Sequence, residues 1–350
     1  MLTSNGRPPT VWALTPHLVR DGKLVGESYD NEQTKAEVAA AFHTLGLPWI
    51  WQPVVPASIS EVVAQIARHR EKNDAVIFNF CDGDDINGYP GLSVLKVLEG
   101  SGIPFTGAFS PFYELSTSKV VMKRALCAAG VANSPFAVLP HTGPVEGFCE
   151  RLGAPLFVKP AISAAGWGLT LRSVVHSDSE IEACRAELLS GEMAQYFLHD
   201  TLFVERFIEG PEFTVFLGGY HDRADEIWVL PPAERVFDAA IPAKERILCN
   251  ERLGRPYYWY EGCAPEMEEP LRSLAVRAYC AVQGSGYGRV DIRLDSASGE
   301  LFVLEVNANP GISGDEDVVS VGRILQLAGM SFADLLGAIV RQTLDRAERA

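Results

Sequence analysis

Tyr287-Gly-Arg-Val-Asp-Ile-Arg-Leu294, a polar turn Asp295-Ser-Ala-Ser-Gly-Glu300, and Leu301-Phe-Val-Leu-Glu-Val-Asn-Ala-Asn-Pro-Gly311 form the run that decides the fold. Both outer segments alternate with period two and read as strands. Ser296, Ser298 and Gly299 mark the turn between them. Arg289 and Asp291 share one face of the first strand, as do Glu305 and Asn307 of the second. A hairpin centred near Ser298 sets Asp291 opposite Glu305 and Arg289 opposite Asn307. Two opposed carboxylates repel unless something positive lies between them. Two carboxylates and a carboxamide are oxygen donors suited to a hard cation such as Mg²⁺, so Asp291, Glu305 and Asn307 are the candidate metal ligands. The plain alternative is a hairpin with a solvated charged face.

This hairpin resembles the Mg²⁺-binding core of the ATP-grasp enzymes, specifically the D-alanine–D-alanine ligase group. Arg289-Val290-Asp291 and Glu305-Val306-Asn307-Ala308-Asn309-Pro310-Gly311 match that group's R-[IV]-D and E-x-N-x-x-P-G elements. Ala328 to Phe332 is similar to its C-terminal helix entry.

Bulk properties agree with a globular enzyme. The chain has 350 residues, enough for two or three domains, and 47% of them are apolar. A net charge of −15 argues against nucleic acid or an anionic membrane as partner. Seven cysteines, scattered and without a C-x-x-C pair, suggest reduced thiols and a cytoplasmic setting. No apolar run reaches the ~18 residues of a membrane span, and residues 1–10 lack the pattern of a signal peptide.

Strand-like runs at 11–14, 49–55 and 75–80 alternate with helical patterns at 31–45 and 58–70, the latter opened by a Ser58-to-Glu61 capping box. An open, mostly parallel α/β domain over 1–112 is therefore expected. A central ATP-grasp subdomain at 113–200 and a C-terminal one at 201–350, both α+β, complete the α/β ATP-grasp fold that the resemblance implies. In open parallel sheets ligands bind beyond the carboxyl ends of the strands. Asp82, Asp84 and Asp85 follow the strand at 75–80, and are either a polar loop or substrate contacts.

The resemblance assigns the remaining roles. Lys119 and Lys159 contact phosphates, whereas Lys123 reads as a surface lysine. The small-residue loop 161–168, with Ala165 and Gly166, is the lid over the nucleotide. Glu205, Arg206, Phe207 and Ile208 line the adenine slot, Glu212 lies near the ribose, and Lys244 closes over the site. Arg289, with the Gly311 N–H, stabilises the oxyanion of a tetrahedral intermediate. The implied cofactors are ATP and Mg²⁺, with two ions expected and Mn²⁺ as a substitute; the implied partners are a small carboxylate and a small amine, and a homodimer is compatible.

The amino-acid pockets depart from the group's pattern. Leu14-Thr15-Pro16-His17 stands where relatives carry a Gly-Gly segment and a Glu for the first ammonium. The lid's Ser pair is Ala165 and Gly166 here. Asp315, Glu316 and Asp317 stand where relatives receive the second carboxylate, and are either pocket residues or an acidic helix entrance. The expected function is an ADP-forming carboxylate–amine ligase of specialised metabolism with a non-alanine substrate, of the kind that extends mycosporines or small peptides. The alternatives are a cell-wall D-alanine–D-alanine ligase and a non-catalytic ATP-binding regulator.

Overall fold

A computed structural model describes residues 7–26, 32–70, 74–83, 85, 89–163, 166, 168–191, 194–197, 200–249, 252, 257–315 and 319–349, with the side chains of 195 and 196 excepted. Three sheets carry the fold.

In the first sheet, β1 (Thr10–Arg20) lies between two parallel neighbours, β3 (Trp49–Val54) and β4 (Ala75–Asn79). Val11 and Ala13 enter one core while Trp12 and Leu14 enter another, as a central strand covered on both faces requires. Helices α1 (Glu32–Thr44) and α2 (Ile59–Arg70) make the crossovers. The strand expected at 11–14 runs on to Arg20, because its far half pairs antiparallel with β2 (Lys23–Gly26). Ser58 does not form the expected capping box. Its hydroxyl instead exchanges hydrogen bonds with the backbone of Val55. Helices α3 (Leu92–Ser101) and α4 (Ser110–Thr117) lead out of this sheet, and α5 (Lys119–Ala128) follows with Ser118 at its N-cap.

The second sheet has the order β5-β8-β6-β7, formed by β5 (Phe136–Val138), β6 (Leu156–Pro160), β7 (Val174–Val175) and β8 (Leu202–Arg206). All its pairings are antiparallel. Helices α6 (Phe148–Leu152), α7 (Asp178–Ser190) and α8 (Ala194–Phe197) belong to this stretch, and they share a small apolar core with the sheet around Val158, Ile181 and Val204.

The third sheet is antiparallel, and its long middle strand β9 (Glu212–Tyr220) is buried at all nine positions. Around β9 lie β10 (Trp228–Val229), β11 (Ala233–Phe237) and β12 (Tyr258–Gly262). Helix α9 (Pro265–Ala281) leads into the hairpin β13 (Ser285–Leu294) and β14 (Leu301–Ala308). Helices α10 (Ser320–Ala328) and α11 (Phe332–Arg349) end the chain.

Two large cores run through both the first and the third sheets, so these sheets are held as one body. Tyr279 of α9 is fully buried and meets Phe112 of α4 edge-on at 5.1 Å. Burying an aromatic side chain of this size contributes ~1.5–3 kcal/mol. Gly286, at φ +70, brings its backbone so near Gly107 that a Cβ there would stand 2.1 Å from the Gly107 carbonyl oxygen. Asn309, just past β14, accepts a hydrogen bond from the Ala108 amide at 2.7 Å and donates to the Cys81 carbonyl at 3.4 Å. The end of the decisive hairpin is thereby tied to the carboxyl end of β4.

Candidate active site

Strands β13 and β14 pair with Asp291 opposite Glu305 and Arg289 opposite Asn307, and a bulge follows Asp291. The repulsion expected of two opposed carboxylates is offset by cations on both sides. Arg289 donates to Asp291 through Nε and Nη2, the latter at 3.0 Å, and its Nη2 stands 3.9 Å from Glu305. Lys119 Nζ lies 3.4 Å from Glu305. Thr214 Oγ1 donates to Asp291 at 2.7 Å, and Asn307 Nδ2 donates to both carboxylates at 3.3 and 3.2 Å.

The two acids are split by these surroundings. Burial raises the Asp291 carboxyl above its usual range, only partly countered by Arg289. Burial acts on Glu305 too, but Lys119 and Arg289 outweigh it and hold that carboxyl below its usual range.

Lys119, Arg289, Asp291 and Glu305 stand at one end of a cleft. Its other end is apolar, formed by Phe157, Leu169, Phe207 and Ile247 with Phe157 and Phe207 edge to face at 6.0 Å. Lys159 Nζ bridges the two ends, 4.4 Å above the Phe157 ring and 2.6 Å from Glu205. The loop after β6 reaches this wall at Gly166, where an added Cβ would come within 3.1 Å of the Leu248 carbonyl oxygen.

The site residues expected from sequence fall into three groups. Lys119, Lys159, Gly166, Glu205, Arg206, Phe207, Ile208, Glu212, Arg289, Asp291 and Glu305 all line the cleft, and Asn307 joins them through its two hydrogen bonds. Other residues have local engagements. Asp85 caps α3, accepting from the Gly91 and Ser93 amides at 3.0 and 2.6 Å. Asp315 accepts from Gln33 of α1 at 2.6 Å. Lys244 is exposed on a turn, while Ile247 and Leu248 of the same segment reach the cleft. Asp82 is exposed and Gly311 half-buried. Asp84, Ala165, Glu316 and Asp317 lie outside the described residues.

Lys123 is not a surface lysine. It is 1% exposed, with Nζ 2.6 Å from Glu205 and 3.3 Å from the Ser134 carbonyl oxygen. The four-residue step from Lys119 puts both on one helix face, a signal the sequence carried. Arg235 and Arg293 were also missed. Both bind the buried Glu212, with Arg293 Nη2 at 2.8 Å, and both line the cleft. Arg293 continues the period-two face of Arg289 and Asp291, which would have found it.

Metal fit rests on the donor set. Among the described residues no cluster of three His, Cys, Asp or Glu side chains could hold an ion. The hairpin offers two carboxylates, and the Asn307 amide, turned over, adds a third oxygen, which suits Mg²⁺ completed by phosphate oxygens.

A parallel N-terminal sheet, two antiparallel sheets and a cleft with one apolar and one charged end are the architecture of an ATP-grasp enzyme. A family model described as "D-ala D-ala ligase C-terminus" matches residues 126–341. A D-alanine–D-alanine ligase of Marinobacter nauticus is 33% identical over 253 residues, 71% of this chain and 69% of that protein. One of Xanthomonas axonopodis pv. citri is 30% identical over 298 residues, 84% of each chain. The crystal structure of the Bacillus anthracis D-alanine–D-alanine ligase complexed with ATP superposes with a TM-score of 0.67 over 97% of this chain and 99% of that one, at 16% identity. The chain belongs to the D-alanine–D-alanine ligase family of ATP-grasp carboxylate–amine ligases.

Proposed function

We propose that this enzyme joins two D-alanine molecules, activating the carboxylate of one as an acyl phosphate and releasing ADP and phosphate. One observation carries the ATP half: Lys119, Lys159 and Arg289 converge with Asp291 and Glu305 at the charged end of a cleft whose far end is an apolar slot. The base fits the slot of Phe157, Phe207 and Ile247 beside Glu205, Arg206 and Ile208, and the phosphates meet Lys119 and Lys159. Asp291, Glu305 and Asn307 would hold Mg²⁺, which supplies charge neutralisation at the phosphate oxygens. Arg289 would stabilise the negative charge that develops on the attacked carbonyl, with the Gly311 N–H as second donor. The loop that carries Gly166 would serve as a lid that excludes water from a hydrolysable intermediate.

The amino-acid half rests on the relatives. The Marinobacter and Xanthomonas relatives, each covering more than two thirds of this chain, are named D-alanine–D-alanine ligases, which favours this alternative over the specialised substrate expected from sequence. Asp315, engaged by Gln33, also weakens the picture of an acidic wall against a carboxylate. A second reading, a different amine or acid, draws on β1. Thr15 and His17 are buried there, and the segment Leu14-Thr15-Pro16-His17 carries no carboxylate of the kind that the resemblance implies for the first ammonium.

The same proposal takes the chain as three domains, 1–112, 113–206 and 207–350, with the boundary expected at 200 moved past Arg206 because β8 pairs with β5 and β6. It also includes a cytoplasmic homodimer without nucleic-acid or membrane partners. Among the described residues no single helix is long and apolar enough to cross a membrane. Phosphate release measured across pairs of D- and L-amino acids tests the substrate. The D-alanine pair should give the highest kcat/KM, and a better pair of another chemistry establishes the second reading.

A further inference from the structure

Glu205 is a buried carboxylate, 2% exposed, with a lysine on each oxygen: Lys123 at 2.6 Å on Oε2 and Lys159 at 2.6 Å on Oε1. The two lysines differ in where they stand. Lys159 lines the cleft beside Lys119, whereas Lys123 is 1% exposed on the inner face of α5. Neither its burial nor its second partner, the Ser134 carbonyl, gives Lys123 any route to a ligand. A buried ammonium is costly to hold charged, and burial indeed lowers its affinity for a proton. Two cations on one acid leave a surplus positive charge, and Lys159 is the one that can move toward an anion.

We infer that Lys123 is a positioning residue that keeps Glu205 neutralised so that Lys159 can leave it for the phosphates of ATP. This rests on the ATP-binding reading of the cleft and adds a role for a residue that does not touch the ligand. Without Lys123, Lys159 would be the sole counter-ion of a buried carboxylate. Breaking such a pair strands a charge in the interior and is strongly disfavoured. Lys159 would then stay on Glu205, and the phosphates would lose a contact.

The test is calorimetric binding of ATP with Mg²⁺, and of adenosine, to the full chain. Lys123→Met should weaken ATP by about tenfold or more while leaving adenosine within about threefold. Lys123→Arg, which retains the charge, should bind ATP nearly as the parent does. In a Lys159→Met/Glu205→Gln background, where no charge is stranded and the lysine to be released is gone, adding Lys123→Met should produce no further loss. Equal losses for ATP and adenosine in Lys123→Met, or a further ATP-specific loss on adding Lys123→Met to Lys159→Met/Glu205→Gln, would overturn the inference. Should Lys123→Met alone fail to fold, Lys123→Met/Glu205→Gln, which strands no charge, replaces it. It should match Glu205→Gln in ATP affinity, and an additional loss overturns the inference. A parent protein that binds no ATP would instead remove the reading of the cleft itself.

Discussion

Asp291 and Glu305 face each other across the β13–β14 hairpin, yet burial raises the carboxyl of the first while Lys119 and Arg289 hold that of the second below its usual range. Such a pair can accept a cation without first paying to bring two carboxylates together. Glu305→Gln keeps the shape and removes one charge. Turnover, followed as ADP release, should fall roughly 10–100-fold or more, with a melting temperature within a few degrees of the parent. Unchanged Mg²⁺-dependent turnover would take Glu305 out of the metal site.

Asn309 holds the hairpin end to the first sheet through Ala108 and Cys81, and it does so with a left-handed backbone, φ +46. Asn309→Ala would leave the buried Ala108 amide without its acceptor, at a cost of about 1–3 kcal/mol in urea unfolding. Gly107→Ala should be at least as damaging, since its φ is +91 and the new Cβ would lie 2.3 Å from Asn309 Oδ1. An unchanged urea midpoint for either variant contradicts this account of how the two sheets are joined.

Glu205 and Glu212 are buried, which alone would raise their carboxyls. Lys123 with Lys159, and Arg235 with Arg293, outweigh burial and hold both below the usual range. A carboxyl depressed in the folded state contributes stability that is present above its unfolded value and lost as pH falls through the folded one. The urea midpoint should therefore decline once pH drops below the ordinary glutamate value of 4.5. Asp200, Glu234 and Asp291, raised by burial, work in the opposite direction, but Asp178, Glu305 and Asp334 are held low as well. A midpoint that rises on acidification would refute the assignment.

Much of the site was legible because a strand has period two. The alternation of β13 and β14 alone sets Asp291 against Glu305, and the observed register agrees. The parallel first sheet followed from its apolar runs. The residues that were missed depend on where distant elements meet. The helical step from Lys119 pairs the two lysines on one face of α5, but nothing local tells that Glu205 on β8 will take the Lys123 ammonium. Arg235 lies in β11, whose partner Glu212 is fixed only once β9 and β11 pair. Asp85 read as a loop acid, and its use as a cap for α3 depends on a turn at φ +58.

Activation of a carboxylate by phosphorylation leaves an isotopic trace, because one carboxylate oxygen departs with the phosphate. The enzyme incubated with ATP, Mg²⁺ and D-alanine labelled with ¹⁸O in its carboxylate should yield D-alanyl-D-alanine, ADP and phosphate carrying one ¹⁸O, in equal amounts. Formation of AMP and pyrophosphate, or ADP release that does not depend on D-alanine and leaves phosphate unlabelled, would contradict the account.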